Sequence, residues 1–249
     1  MTVEAYQPKC NYINTAFNTA NVNLDLSNAK VLEIFGNAGQ LLADPENVVK
    51  EENYTVFETS TEAIQEGIDN YPNVDFRFWN HHNQMNHPSG NIDEPMPWSG
   101  DEKFDFIFCW MKTANLDPEI LDSLTTQCYE HLNPGGAIVW GIFMREVALN
   151  YFIVRRTHEY GMVEPTLIET SENSNWLTLI DNDTAHIDVE RVPTSGADAC
   201  VESTHFTLFW KNDYLTNRLS TLLPDAEVIS RRLPPMWSIQ NPIVIKKPA

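Results

Sequence analysis

The feature that most constrains the fold is an alternation of short apolar runs with helical patterns between Lys30 and Phe143. The runs are rich in β-branched and aromatic residues, as in strands that helices cover on both faces. Because such alternation builds βαβ units, we predict a Rossmann-like α/β fold with a mostly parallel sheet flanked by helices. The first five strands are predicted at Val31–Phe35, Tyr54–Glu58, Val74–Phe78, Phe104–Cys109 and Ala137–Phe143.

Two helices between these strands have clear start signals. The sequence Thr59-Ser-Thr-Glu62 is typical of a capping box, in which Thr59 caps the N–H of Glu62 and Glu62 reaches back. Asp117-Pro118 supplies the N-cap and first-turn proline of a second helix, which ends at Asn133-Pro-Gly-Gly136. The helix after the first strand is predicted to be short, because Asp44-Pro45 interrupts it and begins a new helical turn.

The alternating pattern ends at Phe143. After it we predict a helix to about residue 161, then three antiparallel strands and a further helix. Two closing strands complete a seven-stranded sheet, so the antiparallel strands form a small β insertion after the fifth strand. The predicted elements are strands Trp176–Asp181, Ala185–Val192 and Ser203–Trp210, helix Asn212–Leu223, and closing strands Val228–Ile229 and Ile243–Ile245.

This pattern divides the chain into three parts. Residues 1–29 are polar and Asn-rich, with Tyr6, Tyr12 and Phe17 as anchors of an N-terminal lid segment. Residues 30–143 and 210–249 form the Rossmann-like core. Residues 144–209 are predicted to be the insertion, which serves as a substrate lid or as a homodimer contact.

A ligand cradle is predicted where the first strand ends in the glycine-bearing turn before Gly39. Small residues in such a turn let the backbone approach a nucleotide-like ligand, and an acid ending the next strand can bind ribose hydroxyls. Glu58 ends the second strand, at about the 20-residue spacing that such an acid has.

These residues resemble the motifs of class I S-adenosylmethionine-dependent methyltransferases. Glu33 and Gly39 match the acid and last glycine of the motif V-L-E/D-x-G-x-G-x-G, and Glu58 matches the ribose-binding acid. Phe104–Cys109 is similar to the fourth-strand motif "FDLIxx", and Leu132–Val139 to the motif "L-x-PGG-x-hydrophobic". The order and spacing of the motifs hold from about residue 30 to 143, nearly half the chain.

The resemblance implies that S-adenosyl-L-methionine is the cofactor and that a methyl group is transferred to oxygen or nitrogen of a small-molecule acceptor. Asn80 stands where the family's third strand has an Asp that contacts adenine, and Thr59 follows the acid as in many members. The implied cofactor-binding residues are Glu33, Phe35, Gly36, Asn37, Gly39, Glu58, Thr59, Asn80, His81 and Cys109.

The glycine turn departs from the family, because Phe35 and Asn37 stand where it has Gly and Gly36 is shifted by one position. A Cβ atom at either place can block the amino-acid end of the cofactor. In one alternative, Gly36 or Asn37 takes a positive φ, Phe35 points into the helical cover and the cradle stays open. In the other, the Phe35 ring fills the methionine end and only a shorter nucleoside enters.

Residues after the fourth strand lie where the family places the acceptor and the transferred methyl. Trp110 can hold a sulfonium or an acceptor face by cation–π attraction, or can pack under the sheet edge. His82 is a candidate general base, because the loop after the third strand borders the family's active site. The remaining candidates are Lys112 for catalysis, and Met111 and His205, with Trp110, for acceptor binding.

Composition excludes several other classes of function. A formal net charge of -19 opposes binding to nucleic acid. No secretory signal or membrane-spanning run is visible, and four scattered cysteines predict reduced thiols in a cytoplasmic protein. His81, His82 and His87 lack a metal-ligand spacing, so no metal site is predicted. Two rival functions stay open: a degenerate member that acts as a binding or regulatory partner, and a non-methylating enzyme of the same fold.

Overall fold

The computed structural model describes residues 9–79, 95–110, 113, 118–144, 166–168, 176–180, 206–210, 212–230 and 240–249. Four α-helices and ten strands lie in this part of the chain. The helices are α1 (Lys9–Ala20), α2 (Thr61–Asn70), α3 (Pro118–Glu130) and α4 (Asn212–Leu222). The strands are β1 (Val31–Ile34), β2 (Tyr54–Glu58), β3 (Asp75–Phe78), β4 (Phe104–Cys109), β5 (Leu132–Met144), β6 (Thr166–Ile168), β7 (Trp176–Ile180), β8 (Phe206–Trp210), β9 (Glu227–Ser230) and β10 (Gln240–Lys246).

Seven of the described strands form the core of one sheet in the order β3-β2-β1-β4-β5-β10-β9. The first five of these strands pair in parallel, whereas β10 is antiparallel to both β5 and β9. The predicted Rossmann-like fold with a closing antiparallel hairpin is therefore confirmed. Parallel strands place their carboxyl ends at one edge, which brings the turns after β1, β2 and β4 together.

The insertion extends the same sheet in the order β5-β8-β7-β6. Strand β5 is long enough to pair with β10 through Phe143 and with β8 at Phe143 and Met144. Strand β7 is antiparallel to both β6 and β8. Strands β7 and β8 were predicted to be antiparallel, whereas β6 was not expected. The predicted helix at 144–161, the strand Ala185–Val192 and the turns at 181–183 and 193–196 lie outside the described residues.

Helices cover both faces of the parallel strands, which explains their continuous apolar sequences. One face of the sheet packs on α3 and α4 through a layer that includes Leu32, Phe57, Trp140, Leu121 and Leu215. The opposite face packs on α1 through a layer that includes Val31, Val56, Phe106, Tyr12 and Phe17. No helix in the described ranges is long and apolar enough to span a membrane.

Helix α1 lies along the sheet with its first turn at the carboxyl edge of the strands. Phe17, in its second half, contacts Phe106 in the middle of β4 with ring centroids 4.9 Å apart. The carbonyl of Ala20 accepts a hydrogen bond at 3.2 Å from Lys246, at the end of the antiparallel β10. The segment predicted to be a lid thus contains a helix that belongs to the core, and its lid function stays a prediction.

Two local predictions were wrong. Ser60, not Thr59, caps α2, since the Ser60 hydroxyl accepts from the N–H of Ala63 at 3.2 Å. Thr59 is unavailable because its hydroxyl and N–H both donate to Glu58, at 3.0 and 2.7 Å. The short helix after β1 is replaced by turns over residues 36–47. Asp44, next to Pro45, accepts instead from the first turn of α1, at the N–H of Cys10.

Candidate functional site

The turn after β1 has an unusual backbone. Phe35, Asn37 and Gly39 all adopt positive φ, of 61°, 55° and 78°. These are the three positions at which the glycine motif has Gly, so the backbone has the left-handed conformation that glycine adopts most readily, although two of the three residues carry a Cβ. A side chain with a Cβ costs about 1–2 kcal/mol in this region, and Phe tolerates it less well than Asn.

The shifted glycine, Gly36, is required by close packing. A Cβ there would lie 2.9 Å from Cγ1 of Val56 and 3.0 Å from Cγ of Glu33. Those distances are shorter than real Cβ contacts, so any larger residue would push the turn away from β2. Gly36 therefore holds the turn close to the neighbouring strand.

The Phe35 ring packs into the helical cover of the sheet. It stacks on Trp79, the residue after β3, with ring centroids 5.5 Å apart and an interplanar angle of 9°. It also contacts the apolar layer that α3 and α4 share with the sheet. This is the arrangement of the open-cradle alternative, although Asn37, and not Gly36, joins Phe35 in taking positive φ.

Glu58 lies beside this turn at the end of β2 and is 8% exposed. One carboxylate oxygen accepts from the N–H of Asn37 at 2.8 Å. The other accepts from the N–H and hydroxyl of Thr59 and, at 3.1 Å, from the N–H of Ser60. A carboxylate offers about four acceptor positions, so these donors use most of its capacity. Glu58 thus joins the turn after β1 to the start of α2.

Glu33, the acid of the first strand, is fully buried. Its carboxylate accepts from the ammonium of Lys9 at 2.5 Å and from the hydroxyl of Tyr54. Burial and the adjacent carboxylate raise the pKa of Tyr54 well above its usual value, so this phenol remains a donor. Lys9 is the outermost group of this network, with 11% of its side chain exposed. Lys9 and Tyr54 thus occupy the carboxylate of Glu33 within the protein.

The carboxyl end of β4 contacts the first turns of α1. The ring of Tyr12 packs edge-on against Trp110, with ring centroids 4.3 Å apart and an interplanar angle of 78°. Cys109 is 1% exposed at the last position of the strand. Burial, and then the adjacent Cys109, raise the pKa of Tyr12 well above its usual value. The Tyr12 side chain is therefore a neutral hydroxyl at any physiological pH.

The structure brings most of the described candidates to this one edge of the sheet. Glu33, the turn 35–39, Glu58 and Thr59 surround the ends of β1 and β2, and Cys109 and Trp110 lie at the end of β4. Six candidates lie outside the described residues: Asn80, His81, His82, Met111, Lys112 and His205. Within the described part of the chain, no cluster of three His, Cys, Asp or Glu side chains could hold a metal ion.

Sequence reasoning missed Lys9 and Tyr54, which occupy the carboxylate of Glu33. Lys9 gives no local signal, because its partner is 24 residues away. Tyr54 begins an apolar strand and looked like an ordinary core residue. Tyr12 was predicted as an anchor of the N-terminal segment, but its contact with Trp110 was not predicted.

Comparison with known proteins identifies the fold. No protein-family model matches the chain, and no curated protein matches its sequence. Solved structures do match over almost the whole chain. The glycopeptide N-methyltransferase MtfA complexed with sinefungin is 15% identical, with 98% of this chain and 95% of that chain covered and a TM-score of 0.53. MtfA has also been solved with S-adenosyl-L-methionine and with S-adenosyl-L-homocysteine.

Two further matches have the same extent. An S-adenosylmethionine-dependent methyltransferase from Clostridium acetobutylicum is 12% identical, with 99% of this chain and 94% of that chain covered and a TM-score of 0.53. DesVI from Streptomyces venezuelae is 12% identical, with the same coverage and a TM-score of 0.54. At these identities the likeness shows the fold: the chain has the class I methyltransferase fold that its motifs resemble.

Proposed function

We propose that this protein transfers a methyl group from S-adenosyl-L-methionine to oxygen or nitrogen of a small-molecule acceptor. The observation that carries the proposal is the turn after β1. Its backbone keeps positive φ at positions 35, 37 and 39, and its middle N–H is bonded to Glu58 at 2.8 Å. A chain that no longer used this turn would have little reason to keep two strained residues in it.

The residues around the turn fit the cofactor. When bound, S-adenosylmethionine supplies an electrophilic methyl group on a sulfonium. Glu58 would hold the ribose hydroxyls, with Thr59 beside it, while the backbone of Gly36–Gly39 would line the amino-acid end. Phe35 does not obstruct this end, because its ring stacks on Trp79. Asn80, His81 and Cys109 complete the proposed cofactor site, with Asn80 toward adenine.

The proposed reaction requires little general acid–base catalysis. Methyl transfer is an in-line displacement, so the protein mainly orients two reactants and excludes water. Trp110 and the buried end of β4 supply an apolar wall for this purpose. His82 and Lys112 are proposed to take the acceptor's proton where one must leave, and Met111 and His205 to contact the acceptor. Residues 144–209 would set the choice of acceptor or form a homodimer contact.

One observation favours a second candidate, a degenerate protein that binds a partner without transferring methyl groups. Both strand-end acids are engaged within the protein: Glu33 by Lys9 and Tyr54, and Glu58 by backbone N–H groups. Ribose binding would have to share or displace the donors of Glu58. A non-methylating enzyme that uses another nucleotide-like ligand is the further alternative.

Calorimetric titration of the full chain with S-adenosylmethionine and S-adenosylhomocysteine separates these candidates. We expect saturable binding of both ligands and an increase in the melting temperature of several degrees. Absence of both heat and thermal shift at millimolar ligand would reject the proposed function and favour the degenerate protein. Binding should then be followed by mass spectrometry of candidate acceptors, in which a gain of one methyl group identifies the product.

A further inference from the structure

The carboxylate of Glu33 lies directly beneath the turn after β1. Its Cγ and Cδ atoms are 3.0 and 3.1 Å from the position that a Cβ on Gly36 would take, and the side chain is fully buried. The backbone of Gly36–Gly39 is the part of the site that we propose to line the amino-acid end of the cofactor. By charge alone, a carboxylate at this place would suit the ammonium of that end.

That carboxylate already holds an ammonium, which belongs to Lys9. The Nζ atom of Lys9 lies 2.5 Å from Oε1 of Glu33, and the hydroxyl of Tyr54 donates to Oε2, so each oxygen has a donor from the protein. Lys9 is fixed at the first turn of α1, where the next residue, Cys10, donates its N–H to Asp44 at 2.9 Å. The helix packs on the sheet along its buried face. The fold therefore places the ammonium of Lys9 at Glu33 before any ligand binds.

A ligand's ammonium gains little beside this ion pair. To reach Glu33 it would have to displace Lys9, a partner that the same chain supplies at high effective concentration. The displaced Lys9 side chain, of which 11% is exposed in the pair, would lose its carboxylate and keep part of its cost of desolvation. If Lys9 stays in place, the ligand's ammonium meets a like charge and is repelled. In both arrangements an amino group on the ligand contributes little to affinity.

We propose that Lys9 replaces the ligand's ammonium as the partner of Glu33, so that this protein binds its cofactor without recognising the amino group. The inference rests on the proposed function and makes Lys9 a residue that determines specificity. The site would accept adenine nucleosides whose 5′ side chain lacks an amino group about as well as those that carry one. A carboxylate on that side chain stays compatible with the site, because the outermost charge of the pair is positive.

The test uses the unmodified full chain and two ligands with the same thioether: S-adenosylhomocysteine, and its analogue in which hydrogen replaces the α-amino group. Calorimetry is done in about 0.15 M salt, which screens long-range repulsion of the more anionic analogue. The two dissociation constants should agree within about threefold. A loss of more than about threefold for the analogue would overturn the inference. Failure of S-adenosylhomocysteine itself to bind would instead reject the proposed function, and this inference with it.

Variants of the ion pair give an independent readout. Lys9→Met leaves Glu33 without its cation, so this variant should bind S-adenosylhomocysteine about tenfold more tightly than the deaminated analogue. Adding Glu33→Gln removes the charge that attracts the amino group and should abolish this preference. Lys50→Met removes an equal charge at an exposed position and should leave both affinities unchanged.

Two results with these variants would overturn the inference. One is equal binding of the two ligands by folded Lys9→Met, and the other is a preference that persists after Glu33→Gln is added. Where Lys9→Met is too unstable to titrate, the comparison of the two ligands on the unmodified chain decides the inference by itself.

Discussion

The backbone N–H of Asn37 donates to the carboxylate of Glu58 at 2.8 Å, so the residue that we propose to bind ribose also holds the turn after β1. Asn37 has a φ of 55°, a conformation that the hydrogen bond helps to fix. In the proposed site, recognition of the ligand and the shape of the turn would therefore be coupled through one side chain. A ligand that draws on the Glu58 carboxylate acts on the turn as well.

Replacing Glu58 by Ala should weaken binding of S-adenosylmethionine at least tenfold, about 1.4 kcal/mol. The reason is that two ribose hydroxyls lose a charged acceptor. The variant should remain folded, although the released N–H groups cost about 1–3 kcal/mol of stability. Calorimetry and circular dichroism measure the two effects. The control is Glu62→Ala, which removes an exposed acid from the first turn of α2. An unchanged dissociation constant in folded Glu58→Ala would remove this residue from the site.

The backbone conformation of Asn37 can be tested by paired substitutions. Asn37→Gly should stabilise the protein slightly, by up to about 1 kcal/mol, since glycine adopts positive φ without a Cβ clash. Asn37→Ala should destabilise it by about 1 kcal/mol, because alanine has the Cβ but no side chain suited to this region. Urea unfolding gives both values. Equal stability of the two variants would show that position 37 does not require positive φ in solution.

Phe35→Gly should change affinity for the cofactor by less than tenfold. The ring stacks on Trp79, and we therefore propose that it leaves the methionine end of the cradle open. Its loss removes apolar contacts but relieves a positive φ of 61°, so the two effects on stability oppose each other. Titration with S-adenosylmethionine measures the outcome. A tenfold or greater gain in affinity would show that the ring blocks the cradle in solution.

Removal of one partner of the ion pair between Lys9 and Glu33 should lower the free energy of unfolding. Lys9→Met leaves a buried carboxylate without its cation and should destabilise the protein by about 3–5 kcal/mol. Adding Glu33→Gln to this variant should recover part of that loss, because the uncompensated charge is gone. Urea unfolding of the two single variants and the double variant gives the coupling. Lys50→Met, at an exposed position, is the control. Strict additivity would indicate that the pair does not form.

Stability should fall at alkaline pH. Burial raises the pKa of Cys10 from 9.0 to about 12 and raises the pKa values of Tyr12, Tyr54 and Cys128 well above their usual range. For each group the pKa in the folded protein is higher than the pKa in the unfolded chain. The stabilisation is therefore complete below about pH 9 and is lost at higher pH, because these groups ionise in the unfolded chain at a lower pH than in the folded protein. Lys247, whose pKa burial lowers, opposes this trend as a single group.

The free energy of unfolding should therefore be constant from about pH 7 to 8.5 and decrease above about pH 9. Each fully contributing group adds about 1.4 kcal/mol per pH unit to the slope. Urea titrations between pH 7 and 10.5 measure this dependence, and Cys10→Ala should make it shallower. A stability that rises with pH in this range would contradict the assignment of these groups as buried and protonated.

The sequence by itself determined the strands of the parallel core and the class of fold. Local signals predict each element: apolar runs such as Phe104–Cys109 predict strands, and Pro118 predicts the start of α3. The order of these elements along the chain is compatible with only a few sheet topologies. The sequence also placed Glu33, Glu58 and the turn 35–39 near one another, because the carboxyl ends of parallel strands share an edge.

The tertiary structure alone decided what these groups contact. In the folded protein the Phe35 ring stacks on Trp79, and the N–H of Asn37 donates to Glu58. The carboxylate of Glu33 is bound by Lys9 and Tyr54. The tertiary structure also brings the ring of Tyr12, in α1, into contact with Trp110, at the end of β4, although the two residues are far apart in the sequence. These contacts depend on where α1 crosses the sheet and on the φ angles of one turn. Neither is encoded in a local pattern, because both follow from packing between segments that are distant in the chain.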